Sequence, residues 1–424
     1  MGHAPLLSRP KRDVIMGVAG GLRLRVWADL GADVTLPLWG VLALSALAAW
    51  AVLRGLLVPS VRWALRRRAN RAIAELNTRL KLHIQPFKLT RRKVLVDRLL
   101  FDPEVMAAVE RHASEIGMTR EQATAKAAGY VREIVPSFSA TAYFKVGTQL
   151  ARRVSQALYR VRLGYANDHA LASVPPDSSV VFVINHRSNM DYILVTYVAS
   201  SASALSYAVG EWAQVWGLRG LIRSMGAYFV RRNSKDPLYR KVLARYVDTA
   251  TKAGVVQAVF PEVGLTRDGL LRPPKLGLLA YIVQGFDPRG ERDVVFIPVG
   301  VNYDRVLEDR VLTAAADTPP GETPRLLFNP MVLMGFLFRN LWLLLRGRWH
   351  RYGYACVSFG NPISLRRYLG ERALDFRTMR PDHRSAEVEM LGKRLMRDVG
   401  RVMPALPVAL VSTVLIEAGT ICSS

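Results

Sequence analysis

Cysteine is almost absent from this 424-residue chain: Cys356 and Cys422 lie far apart and form no CxxC pair. That excludes a disulfide framework or a cysteine-based zinc site, and it agrees with a cytoplasmic setting. Dinucleotide fingerprint, P-loop, EF-hand and zinc-protease motifs are missing as well, so no cofactor and no metal are expected. Acidic residues are scarce, 34 Asp plus Glu against 59 Lys plus Arg, which leaves a formal charge of +25. Such a field attracts polyanions: nucleic acid, an anionic membrane face, phosphorylated substrates or an acidic carrier protein. Only 22% of the residues are charged while 50% are apolar, a composition that excludes disordered and collagen-like chains. Apolar and basic excess together suit a membrane surface better than a soluble nucleic-acid binder. No internal repeat or low-complexity tract interrupts the chain.

Val34–Leu53 is a run of twenty residues without a charge. As a helix it would extend roughly 30 Å, the thickness of a bilayer core. Arg54, Arg62, Arg66, Arg67, Arg68 and Arg71 follow it, against Arg23 and Arg25 upstream, so the positive-inside rule places the bulk of the chain in the cytoplasm. The alternative is a buried helix of a soluble domain. From Ala72 to Leu163 the pattern is helical. Asp102-Pro103-Glu104 reads as an N-cap with proline in the first turn, and Thr119–Gln122 as a capping box.

At Val174 the texture changes. Val180–Ile184, Val255–Phe260, Val294–Val301 and Tyr354–Phe359 read as short buried strands, separated by helical patterns such as Asp236–Ala253. Strands alternating with helices predict an α/β domain with a mostly parallel sheet flanked by helices. The expected organisation is an N-terminal anchor region (1–71), a helical domain (72–172), the α/β domain (173–365) and a C-terminal helical tail (366–424). Leu326–Leu345 is a second apolar stretch. A full crossing would strand Tyr354–Phe359 on the wrong side of the bilayer, which leaves an interfacial helix or a core helix.

Asn185-His-Arg-Ser-Asn-Met-Asp191 follows the first of these strands directly. A strand-to-helix turn exposes an imidazole at the carboxyl end of a sheet, where α/β folds keep their sites. Asp191 can reach back to one ring nitrogen of His186 and leave the other to accept a proton. The plainer alternative is a histidine that caps the helix start. Downstream, Gly226–Arg232 sets the adjacent guanidiniums Arg231 and Arg232 after an apolar run, a pattern suited to phosphate. Phe260–Arg267 leaves a strand, turns at Gly264 and ends in Arg267, with Lys275 beyond it. Phe296–Asp304 carries a mid-run Pro298, which disfavours a simple central strand and suggests a pocket wall.

In this order the four blocks resemble those of the glycerolipid acyltransferases, most closely the bacterial membrane-bound glycerol-3-phosphate branch. His186–Asp191 matches the family's HxxxxD block with its HRS start, and Gly226–Arg232 resembles GAFFIRR. Pro274-Lys275 resembles the PK after the third block, and Phe296–Asp304 the IP-containing fourth. The third block departs: where the family reads EGGRSR or EGTRSR, this chain has Glu262-Val-Gly-Leu-Thr-Arg267, with Val263 and Leu265 in place of a glycine and an arginine.

The resemblance implies direct acyl transfer from acyl-CoA or acyl carrier protein to a hydroxyl of glycerol-3-phosphate, without an acyl-enzyme. His186 would be the base and Asp191 its orienting acid. Arg231, Arg232, Arg267 and Lys275 would hold the phosphate. Glu262 and Gly264 would complete the acceptor site, with Glu262 orienting a hydroxyl or an arginine. Phe229 and Pro298 are expected in the pocket wall. Anionic membrane lipids are the other expected partner, nucleic acid is not one, and the expected location is the cytoplasmic face of the inner membrane. The rival readings are acylation of lysophosphatidic acid at its second position, and a basic membrane-tethered binding protein without activity.

Overall fold

The computed structural model describes residues 21–22, 36–53, 67, 82–200, 203–210, 218–231, 234–262, 264–266, 268–309, 312–313, 342, 346 and 351–423. The chain divides into two units, Met1–Glu75 and Leu76–Ser424. In the first, a two-residue antiparallel ladder joins Gly21–Leu22 to Leu36–Pro37. Helix α1 (Leu38–Val52) follows, with Trp39, Leu42, Leu47 and Trp50 exposed. Its 15 residues rise about 22 Å, short of a bilayer core. Among the described residues no helix is long and apolar enough to cross a membrane. Most of Leu326–Leu345 lies outside the described residues.

The second unit begins with helices α2 (Arg92–Leu100), α3 (Pro103–Ile116), α4 (Arg120–Ile134) and α5 (Thr148–Leu158). The expected caps are present: Asp102 accepts from Glu104 N–H, and Thr119 and Gln122 bond reciprocally at the start of α4. This helical segment belongs to the same unit as the sheet.

The sheet contains β1 (Arg160–Ala166), β2 (Ser179–Ile184), β3 (Ser206–Gly210), β4 (Tyr228–Val230), β5 (Gln257–Val259), β6 (Val294–Tyr303), β7 (Tyr354–Phe359) and β8 (Ile363–Ser364). Its order is β1-β7-β6-β2-β5-β3-β4, with β8 also paired to β6. Strands β2 to β6 are mutually parallel, whereas β7 runs antiparallel to β6 and carries β1 with it. The sheet therefore starts at Arg160, before the texture change at Val174. Strand β1 escapes the hydrophobic pattern because it is an edge strand, with Arg160, Arg162, Leu163 and Tyr165 all exposed.

All six residues of β2 are buried, since both faces of the sheet are covered. Val181 and Val183 pack with α3, α4 and helices α7 (Pro237–Lys252) and α9 (Pro381–Arg401). Val180, Phe182 and Ile184 face helix α6 (Met190–Ala199). Pro298 does sit inside a central strand, contrary to the reading from the sequence. It pairs with Val183 on one side, while its carbonyl accepts from Gly360 N–H at the turn between β7 and β8. A strand residue points its N–H and C=O to the same side, so the missing donor falls at a break in the neighbouring ladder.

Candidate active site

The carboxyl ends of β2, β4 and β5 supply the chemistry. Asn185 ends β2 buried, its amide bonded to both the carbonyl and the N–H of Val301 in β6. The chain then turns through Arg187–Asn189 into α6, which places Asp191 in the first helical turn, where a negative charge suits the helix dipole. Asp191 Oδ2 accepts from His186 Nδ1 at 2.9 Å, from Arg187 N–H at 2.7 Å and from Ser188 N–H at 3.1 Å. Tyr303 OH donates to Oδ1 at 2.7 Å. A carboxylate that accepts from Nδ1–H leaves His186 Nε2 as the proton acceptor. Nε2 makes no hydrogen bond among the described residues. The rings of Phe260 and Tyr192 flank the imidazole, with centroids at 4.7 and 5.5 Å. Burial, and then the Asp191 charge, push the Tyr303 hydroxyl well above its ordinary pKa, so it remains a donor.

Glu262 is buried, and among the described residues its hydrogen-bond partners are backbone N–H groups. One carboxylate oxygen accepts from His186 N–H at 2.6 Å, the other from Arg272 N–H at 2.7 Å. It staples the histidine turn to the loop that leaves β5. Ser188 is occupied too: its hydroxyl donates to Glu308 at 2.7 Å and accepts from Met190 N–H. Glu308 also accepts from the N–H and the amide of Asn189. A serine held this way is no nucleophile.

A cavity of about 260 Å³ opens beside the imidazole. His186, Tyr192, Val230, Arg231, Arg240, Phe260, Lys275 and Tyr281 contribute to its wall. Three cations thus meet an otherwise apolar space. Arg231 is engaged by Glu133 of α4 through Nε at 2.9 Å and Nη2 at 2.6 Å. The rings of Tyr130 and Tyr239 lie 5.1 and 5.3 Å from the guanidinium carbon. The Glu133 bond raises the pKa of Arg231 and fixes its plane, and Nη1 stays uncommitted among the described residues. Lys275 is exposed and, like Arg240, makes no ion pair among the described residues. Its N–H bonds Pro261 O at 2.8 Å, which closes the loop between them.

The other sequence-derived positions fare differently. Arg232, Arg267 and Val263 lie outside the described residues. Gly264 is not on the cavity wall, and neither a left-handed backbone nor a close neighbour requires glycine there. Gly226 does need its identity: φ is +87°, and a Cβ would meet Lys88 Cε at 2.9 Å. Phe229 and Pro298 also miss the cavity, for Phe229 is fully buried on the α6 face of the sheet. Tyr303, Glu308, Glu133 and Arg240 were not singled out in the sequence, where nothing but the fourth block's closing Asn-Tyr-Asp pointed to any of them.

Comparison with known proteins agrees with the four-block resemblance. The Acyltransferase family model matches residues 166–302, and the model of the glycerol-3-phosphate acyltransferase C-terminal region matches 340–420. A glycerol-3-phosphate acyltransferase of Pseudomonas syringae pv. syringae is 27% identical over 356 residues, covering 80% of this chain and 41% of the relative. One of Aeromonas hydrophila is 29% identical over 317 residues, covering 73% and 38%. The chain thus spans about two fifths of the length of these relatives. A 1-acyl-sn-glycerophosphate acyltransferase structure from Thermotoga maritima aligns with 62% of this chain and 81% of its own, at 17% identity and a TM-score of 0.35. The chain is similar to bacterial glycerol-3-phosphate acyltransferases.

Proposed function

We propose that this protein transfers a fatty acyl group from a thioester donor to the first-position hydroxyl of glycerol-3-phosphate, yielding lysophosphatidic acid. The observation that carries this reading is one cavity whose wall holds both the Asp191-oriented His186 and the cations Arg231 and Lys275. His186 Nε2 takes the hydroxyl proton as the oxygen attacks the thioester carbonyl. The carbon–sulfur bond then breaks, and the proton passes to the departing thiolate. Transfer is direct, in keeping with an occupied Ser188 and no other serine or cysteine nucleophile beside the imidazole among the described residues. Arg231, presented by Glu133, and Lys275 bind the acceptor phosphate. The donor is acyl-CoA or acyl carrier protein.

The same reading places the protein at the cytoplasmic face of the inner membrane. The exposed apolar side chains of α1 and the +25 charge support attachment to an anionic surface. Flotation with anionic and neutral vesicles tests it: binding that ignores both lipid charge and salt would remove the electrostatic part.

Thioester release from palmitoyl-CoA and from palmitoyl-acyl carrier protein, measured with glycerol-3-phosphate, with lysophosphatidic acid and with neither, tests the activity. Release with glycerol-3-phosphate supports the reading. Release with lysophosphatidic acid alone transfers it to the second-position reaction, and no release with either defeats it.

A further inference from the structure

A second depression, of about 560 Å³, lies between α3, α7 and helix α8 (Gly277–Val283). It adjoins the catalytic cavity, because Arg240 and Tyr281 belong to both walls. Arg111 and Lys241 also line it, opposed by Glu115. Lys241 is paired with Glu104 at 2.6 Å, whereas Arg111 and Arg240 make no ion pair among the described residues. A guanidinium with free N–H groups is a fork for phosphate oxygens. The buried His112 also belongs to the groove wall. His112 is 3% exposed, and its Nε2 lies 2.9 Å from Lys126 Nζ. An ammonium can only donate, so Nε2 accepts and the ring proton sits on Nδ1. That Nδ1 is itself buried and has no partner among the described residues.

The assignment of a ligand rests on the acyltransfer reading. Both substrates of that reaction carry phosphate, and Arg231 and Lys275 stand in the cavity beside His186. The donor's phosphate needs a separate place, far enough from the thioester to be joined to it by a pantetheine arm. We infer that the groove of Arg111 and Arg240 binds the phosphate end of the donor's phosphopantetheine arm. Coenzyme A and acyl carrier protein share this chemistry. The arm passes Tyr281 and delivers its thioester to the cavity of His186.

Binding and kinetics test this separately from the activity itself. Arg111 is exposed and makes no ion pair among the described residues, so Arg111→Gln should fold normally. Calorimetric titration with coenzyme A and with 4′-phosphopantetheine is expected to show about ten- to hundredfold weaker binding in Arg111→Gln than in the natural chain, the worth of one charged hydrogen bond. Weakening with both probes places the shared arm phosphate in the groove. Unchanged phosphopantetheine binding overturns the inference, whatever 3′,5′-ADP does. Arg111→Gln should also raise KM for palmitoyl-CoA and for acyl carrier protein while leaving KM for glycerol-3-phosphate unaltered. A rise for the acceptor alone contradicts the assignment. If the natural chain releases no thioester, the proposed activity falls, and the titrations still decide whether the groove takes the arm.

Discussion

The turn that holds His186 and the rim that holds Arg231, Arg240 and Lys275 solve opposite problems. In the turn, Asp191 receives four hydrogen bonds and Glu262 two, with no polar atom of either carboxylate left over. Along the rim, Lys275 and Arg240 have no ion-pair partner among the described residues, and Arg231 keeps one nitrogen open. A base that moves a proton has to be held still, and saturation of its neighbours does that. A site that must admit and release a phosphate needs donors still unpaired when the ligand arrives. Under the proposed function the difference separates turnover from affinity, and substitutions on either side should separate kcat from KM.

Asp191→Asn should have the largest effect. An amide can present N–H to the imidazole and reverse its tautomer, so kcat is expected to fall about 100- to 10,000-fold with KM held, read by thioester release. Glu262→Gln comes next. One buried backbone N–H would face an amide NH₂ in place of a carboxylate oxygen, an unsatisfied donor worth about 1–3 kcal/mol. Urea unfolding should register that loss, and kcat should drop with it. Unaltered stability would mean that the staple is dispensable. A smaller change follows from Glu133→Gln, which frees the plane of Arg231 at a partly exposed site. KM for glycerol-3-phosphate should rise by up to about fivefold, with kcat intact. A fall in kcat instead would move Arg231 from binding into the chemistry.

Lys88 provides a contrast outside both regions. Its ammonium is buried beneath Gly226, donates to Ala204 O at 2.7 Å, and lies 4.4 Å from the Phe138 ring centre. Burial pulls its pKa well below the ordinary lysine value. Between the folded and unfolded pKa values the unfolded chain binds more protons, so stability rises with pH through that window. Lys88→Met should flatten this slope in melts at pH values below the ordinary lysine pKa of roughly 10, and leave both kinetic constants alone. A slope that survives the substitution would assign it to other groups.

How legible each region is in the sequence follows from chain distance. His186 and Asp191 are five residues apart across one strand-to-helix turn, so their pairing could be read from spacing and hydropathy. The caps at Asp102 and Thr119 are equally local. Glu262 meets His186 across 76 residues, Glu133 meets Arg231 across 98, and Tyr303 meets Asp191 across 112. Sheet order makes those contacts, with β5 and β6 on either side of β2, and order is not written in any local pattern. The same limit explains the reversed β7 and the edge strand β1, and why Arg240, in the first turn of α7, looks like any solvated helix residue.

Chemistry confined to the turn and binding confined to the rim meet in one experiment: formation of lysophosphatidic acid from labelled glycerol-3-phosphate and palmitoyl-CoA, each substrate varied in turn, for His186→Ala and Lys275→Gln. His186→Ala should lose about 100- to 10,000-fold in kcat at an unchanged acceptor KM. Lys275→Gln should raise the acceptor KM about tenfold or more at an unchanged kcat. Near-normal turnover in folded His186→Ala, or a Lys275→Gln defect confined to kcat, would contradict the division of labour.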